Sequence, residues 1–425
     1  MNEIEKRLKE EKQRMESVTA PPELGGRLWQ ALEAAPAPVQ KKPKPKWPMA
    51  VAAFLLVCLI GYNYNGLAYY GKKIIGFDEL MSGTLAELND KGMGQTIGEQ
   101  VQFEDGTTLK IDGIMTDANQ LILYYTLSNV KDMEHDISFG KITGFLTDSN
   151  KGAGMSNFNE EKSEIKGQLT FDPVSPFAKK LTLEVEKSTD DGQWVTSKIT
   201  FPYDPNQAMQ TEIKQKLMKK VKVDKGTITF KTITATPTIT IIKGTVNVEN
   251  LDRVQLPFEQ VVLRANGKEV PQIGTGTHSS IGGTKFEISF DALPKKVDSL
   301  ELVVKEFVGY TKVDETIPLH PIQDQAFQLK GEDLWVNGVK KTEEGVQITI
   351  ASDVDVLLDG VTIEGEGGEV PLKTTIRQDY KELDDGRMVK ERTLLFSTDV
   401  VPDTLSVKGM HHMKPVDEVV EILGE

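Results

Sequence analysis

Between Trp47 and Tyr70 the chain runs for 24 residues without a charged side chain, and Lys41, Lys42, Lys44 and Lys46 stand just before it. As a helix rising about 1.5 Å per residue, such a run reaches about 36 Å, enough for a hydrocarbon core of about 30 Å. Trp47 would mark the near interface, and Tyr62, Tyr64, Tyr69 and Tyr70 the far one, where amphipathic rings settle. The lysines hold their side of the span in the cytoplasm. A cleaved signal peptide would need a basic region 46 residues long, and no small-x-small site follows the run. A lipobox at Cys58 fits poorly, because Val57 precedes it in mid-run. A buried core helix would leave unexplained why an element with no polar face follows a comb of lysines. The expectation is a single transmembrane helix over 47–70 in the cell membrane, with the N-terminus cytoplasmic and the C-terminal bulk extracytoplasmic.

Charge divides at the same place. Residues 1–46 hold 10 Lys+Arg and 7 Asp+Glu, a balance of +3, so the rest of the chain carries −14 − 3 = −17. An acidic body of that size repels phosphate backbones, which argues against nucleic acid as a partner. The single cysteine, Cys58, lies inside the apolar run, so no intrachain disulfide, Cys-based zinc site or CxxC redox pair can form.

The head, 1–46, reads as helical and linker sequence. Residues 1–18 have no Gly or Pro and carry a sparse stripe at Ile4, Leu8 and Met15. A second helix is expected after Pro21 and Pro22, with Leu24, Leu28 and Leu32 at i, i+4, i+8 and Trp29 beside them. So short a piece builds no core of its own, and Leu24, Leu28, Trp29 and Leu32 are the candidate contacts for a cytoplasmic partner. A charged, frayed tail is the alternative, since Gly25 and Gly26 weaken the helix.

Beyond the span, 71–94 reads as a helical connector, and from Val101 the pattern turns to strand-like alternation. One device occurs three times: a strand ending in Phe, a Pro-containing loop, then a strand entered at Leu. The pairs are Phe171 and Leu181, Phe290 and Leu300, and Phe396 and Leu405, with repeat steps of 119 and 106 residues. Leu169/Phe171, Phe286/Ile288/Phe290 and Leu394/Phe396 should face inward. Asn266-Gly267 and Asn337-Gly338 suit hairpin turns. The expected fold is mainly β: a short N-terminal helical segment, one transmembrane helix, and three tandem immunoglobulin-like β-sandwich domains at 95–205, 210–320 and 325–425. Residues 203–220 and 319–327 would serve as joints.

The chemistry-bearing residues do not assemble. His278-Ser279-Ser280 lies in a Gly/Ser/Thr stretch that reads as a mobile loop, and neighbours in sequence seldom face each other as catalysis requires. Asp353, Asp355 and Asp359 hint at calcium, yet Leu357 falls where a loop of that kind needs a ligand. His411-His412-Met413 would place neighbours on opposite strand faces and is expected to be exposed. No enzyme activity, cofactor or metal is expected.

The basic head with "PPELGGRLWQAL", the single span, and "TIGEQVQFEDGTTLKIDGIMTDANQLILYYTLSN" together resemble a Firmicute family of membrane-anchored, anti-sigma-factor-like proteins. Their outer, membrane-proximal part is domain of unknown function 4179, and immunoglobulin-like domains follow. The resemblance is strongest over about residues 45–135. It implies a transmembrane regulator whose inner segment restrains a cytoplasmic sigma factor while the outer domains sense an envelope cue. The head lacks the His and Cys-x-x-Cys of zinc-type members. The alternative is an anchored envelope-binding or structural protein with no signalling role.

Overall fold

The structure is a computed structural model that describes residues 73–424 except 82, 131–136, 162, 190, 281–282, 324 and 366–367, together with 23, 25–27 and 30. The expected span at 47–70, the flank Lys41, Lys42, Lys44, Lys46 and Trp47, and Leu24, Leu28, Trp29 and Leu32 lie outside the described residues. Of the head, Gly25–Arg27 and Gln30 are helical, and Arg27 N donates to Glu23 O. Among the described residues no helix is long and apolar enough to cross a membrane. All the strands belong to one compact unit, Tyr69–Glu425.

The first sandwich contains β1 (Gln95–Thr96), β2 (Gln100–Gln102), β3 (Thr108–Thr116), β4 (Leu121–Ser128), β5 (Ile137–Gly144), β6 (Thr147–Ser149), β7 (Lys151–Phe158), β8 (Glu164–Phe171), β9 (Lys180–Ser188) and β10 (Trp194–Pro202). One sheet runs β1-β3-β4-β8-β7 with β2 also on β3, and the other β10-β9-β5-β6. Alternate residues of both meet in a core that includes Leu109, Leu123, Phe171, Leu183 and Phe201.

The connector does not stand apart as a stalk. Its helix α1 (Gly83–Asp90) and the preceding turn lie on the outer face of the β3–β4 sheet. Phe77, Leu80, Leu85 and Leu88 pack there on Met115, Ile122 and Tyr124, with the Phe77 and Tyr124 rings edge-to-face at 5.3 Å. This explains why β4 is apolar on both faces, since one faces the sandwich core and the other α1. Buried Asn89 pins the entry: its amide donates to Ile74 O and its carbonyl accepts from Ile74 N, both at 2.8 Å. Gly113 makes room, because a Cβ there would lie 2.8 Å from both Ile74 Cδ1 and Gln95 O.

The second sandwich is built from β11 (Ile213–Val223), β12 (Gly226–Ala235), β13 (Thr240–Val248), β14 (Val261–Ala265), β15 (Lys268–Val270), β16 (Gln272–Ser280), β17 (Gly283–Phe290) and the long β18 (Leu300–Pro318). The third adds β19 (Phe327–Leu329), β20 (Glu332–Thr342), β21 (Gly345–Asp353), β22 (Leu357–Asp359), β23 (Thr362–Gly365), β24 (Gly368–Glu382), β25 (Met388–Phe396) and β26 (Thr404–Leu423). The second core takes one layer from β11, β12, β13 and β17, with β16 at the edge of that sheet, and the other from β14, the first half of β18 and the end of β26. The third core sets β20, β21 and β25 against the second half of β18 and the start of β26.

β18 ends at Pro318, just short of the boundary expected at 320–325, yet β18 and β26 each contribute to both the second and the third core. They pair antiparallel from Leu300↔Leu423 to Pro318↔Thr404, with register shifts after Leu300, Val304 and Lys312. Phe307 and Val420 belong to the second core, whereas Ile317 and Leu405 belong to the third. The last strand of the chain thus completes the sandwich before its own.

The threefold device is real. Phe171, Phe290 and Phe396 each end a strand of one layer, and Leu181, Leu300 and Leu405 lie near the start of a strand of the facing layer; all six are buried. The loop between them carries the chain from layer to layer. Asn266-Gly267 forms the expected turn, with φ of 52° and 75° and Ala265 paired to Lys268. Asn337-Gly338 does not. It sits inside β20 at a bulge, where the Asn337 amide donates to Glu391 Oε2 at 2.7 Å, and the chain reverses after Thr342 instead.

Candidate functional site

The first and second sandwiches meet turn against turn. The β3–β4 turn presents Asp117, Asn119 and Gln120 to the β12–β13 turn of Thr236–Ile239. The Asn119 amide donates to Thr234 O at 2.9 Å and to Ile239 O at 3.0 Å. The Gln120 amide donates to Thr238 Oγ1 at 2.9 Å. Asp117 is buried and accepts from Asn119 N at 2.8 Å, Gln120 N at 3.1 Å and the Thr238 hydroxyl. Burial pushes its carboxyl above the ordinary carboxylate value, and the Thr238 hydrogen bond opposes that rise. The expected joint at 203–220 is ordered as well. Gln95 bonds Asp204 N and O, each at 3.0 Å, Met209 is buried under the connector, and β11 begins at Ile213.

Beside this lock lies a cleft of about 920 Å³. Its floor is the outer face of the β12-β13-β17-β16 sheet, and the opposite wall is the β7–β8 edge of the first sandwich. Ile239 and Ile241 give the floor an apolar strip. Lys243 there is paired with Glu287 at 2.7 Å, while Lys231 and Lys285 have no acidic partner among the described residues. On the far wall Asp172 accepts from the Asn150 amide at 3.2 Å. A second cleft of about 800 Å³ opens where α1 faces the second sandwich, with Lys295 3.5 Å from Glu87.

His278 is in the first cleft, though not as part of a loop. It stands on β16, opposite Lys285 on β17, and is exposed. Ser279 follows it on the strand, so the two are sequential neighbours on a sheet edge with no geometry for proton transfer between them. Glycines at 274 and 276 made this strand look like a loop, because glycine is disfavoured in strands.

His411 and His412 do face opposite ways, but exposure was the wrong expectation for His412. Its ring is buried between Glu332 Oε1 and Thr311 Oγ1, each at 2.8 Å. The His411 ring meets the Asn250 amide at 3.0 Å and the Tyr310 ring edge-on at 5.0 Å, and burial lowers its pKa. Asn250 in turn donates to Gly309 O at 2.9 Å, so this group braces the crossing of β18 and β26. Asp359 accepts from the Tyr310 hydroxyl at 3.2 Å, away from Asp353 and Asp355. Burial raises the Asp353 carboxyl, offset in part by nearby Arg387, which itself bonds Asp333 at 3.0 Å. Among the described residues no group of three or more His, Cys, Asp or Glu could hold a metal ion.

Residues 40–129 match the model of one family, described as Domain of unknown function (DUF4179). No curated protein matches the chain. A solved structure described as the conserved domain protein from Bacillus anthracis is 10% identical at a TM-score of 0.42, covering 81% of this chain and 100% of that one. A marsupial T cell receptor is 9% identical at a TM-score of 0.14, covering 71% of this chain and 96% of that one.

Proposed function

We propose that the protein is a single-pass membrane regulator of the anti-sigma-factor-like kind, with immunoglobulin-like outer domains that bind an envelope ligand. Residues 1–46 would meet a cytoplasmic sigma factor through Leu24, Leu28, Trp29 and Leu32. The span at 47–70 would carry the signal, and the acidic body would stand outside. The observation that supports this most is the seating of the connector. Three residues after the apolar run ends, Lys73 leads into a segment packed into the first sandwich through Ile74, Phe77 and Leu85. The β3–β4 sheet beneath it carries, at its ends, the turn and wall that border the 920 Å³ cleft. A ligand that moves that wall would therefore move Lys73 and Ile74, the first described residues after the apolar run.

The test is capture with residues 1–46 from cells of the source organism. Recovery of a sigma factor, lost when Leu28 and Trp29 become Ser, is the expected result; no sigma factor in repeated captures would overturn the reading. The rival, an anchored binding or structural protein without signalling, draws support from the continuous β18 and β26, which suit a stiff spacer. Removing residues 2–40 separates the two: the spacer role survives the deletion and the signalling role does not.

A further inference from the structure

We propose that the 920 Å³ cleft binds an extended polypeptide segment bearing acidic side chains, laid along β16 as an added strand. The inference rests on the reading that the body binds an outer ligand, and it names that ligand's class and seat.

Three observations carry it. The first is an open edge. β16 pairs only with β17, and beyond it no described strand takes up the remaining backbone N–H and C=O groups. Such an edge is a template for another strand.

The second is a bare floor. Gly274 and Gly276 lie opposite Ser289 and Glu287, on the face that lines the cleft. A Cβ at either would meet nothing within 4 Å, and neither has a φ that demands glycine. Glycine in a strand costs roughly 0.5–1 kcal/mol relative to alanine, so two that serve neither packing nor a turn leave space for something to approach closely. Exposed Ile273 sits beside them as an apolar anchor.

The third is charge. In a body that carries −17 outside the head, this cleft holds Lys231 and Lys285 without acidic partners among the described residues, and Lys243 already matched by Glu287. A second copy of the acidic body would be repelled overall, whereas a short acidic strand beside β16 would pair with Lys285, one strand away on β17. The open backbone edge favours polypeptide over an anionic polymer that has no strand to add.

The experiment uses the full chain in mild detergent and fluorescein-labelled nonapeptides that alternate Val with Glu, Gln or Lys. The Glu peptide should bind at least tenfold tighter than the Gln peptide, and the Lys peptide should not bind. Hydrogen exchange should slow at the amides of β16 when the Glu peptide is added. Gly276→Val adds a β-branched side chain to open space, so the fold should persist while binding falls at least tenfold. Lys285→Glu should abolish the preference for Glu over Gln, and decides the matter if Gly276→Val proves unstable. Equal binding of the Glu and Gln peptides, or binding that leaves β16 exchange unchanged, would overturn the proposal. So would inorganic polyphosphate binding where the Glu peptide does not. None of these readouts involves a sigma factor, so they fail or succeed independently of capture by the head.

Discussion

The two junctions in the body are made of different material. Between the first and second sandwiches the contact at the turns is a set of side-chain hydrogen bonds, donated by Asn119 and Gln120 to one opposing turn and accepted by Asp117 from it. Between the second and third it is main chain, two strands of 19 and 20 residues that pass through both cores. Side-chain locks depend on one or two residues and can open locally. A ladder spread over many pairs has no single point of failure. The cleft lies at the first junction, where the body is able to yield, while the second fixes its neighbours as one piece.

The largest expected effect comes from cutting the ladder. Removing residues 418–425 deletes nothing from the third core but takes Val420 and Ile422 out of the second. Burying two such side chains is worth about 3–6 kcal/mol. Hydrogen exchange should therefore quicken at Leu300–Val304 and β14 while β20 and β21 stay protected. Equal loss in both sandwiches would mean that they unfold as one unit. Phe290→Ala, at the second crossover between layers, should cost about 3–5 kcal/mol by chemical denaturation. Phe396→Ala should cost a similar amount if the three crossovers are equivalent.

Those crossovers were legible because strand alternation and the loop to the next layer are local. Phe171, Phe290 and Phe396, with their Leu partners, each needed only about ten residues of sequence to be recognised. The return of β26 to the second sandwich was not legible, since pairing Val420 with Leu302 leaves no mark near either residue. Asn337-Gly338 has turn chemistry, yet Glu391 on β25, 54 residues away, recruits the Asn side chain into a bulge. His412 looked exposed for a similar reason, because Glu332 and Thr311 that bury it lie 80 and 101 residues away. The cleft was hidden by its glycines, which read as a loop when the strand was judged without its neighbour β17.

At the first junction Asn119→Ala should cost about 1–3 kcal/mol, because it removes two hydrogen bonds across the junction, to Thr234 O and Ile239 O, each worth about 0.5–1.5 kcal/mol. The readout that separates this from general destabilisation is faster exchange at Thr236–Ile239 with no change in the third sandwich. If exchange there is unaltered, the turn pair is a contact without a locking role.

Asp117 gives the smallest effect and the sharpest one. Burial holds its folded pKa above the ordinary 3.8, so the folded state binds this proton more tightly than the unfolded chain does. The stability contributed by that difference is fully present below 3.8 and is lost as pH rises through the folded value. Acidification from neutrality should therefore tighten this junction rather than loosen it, unlike a carboxylate held in an ion pair. Asp117→Asn keeps an oxygen for the Asn119 and Gln120 N–H groups and turns an amide toward Thr238, so at neutral pH it should change stability by less than about 1 kcal/mol. It should also remove this residue's share of the pH dependence above 3.8, measured as a flatter stability profile than that of the parent. An unchanged slope would mean that the Thr238 hydroxyl and the two backbone N–H groups already hold the ionised form as well as water does. The lock would then be insensitive to pH, and any movement at the cleft would have to be driven by ligand alone.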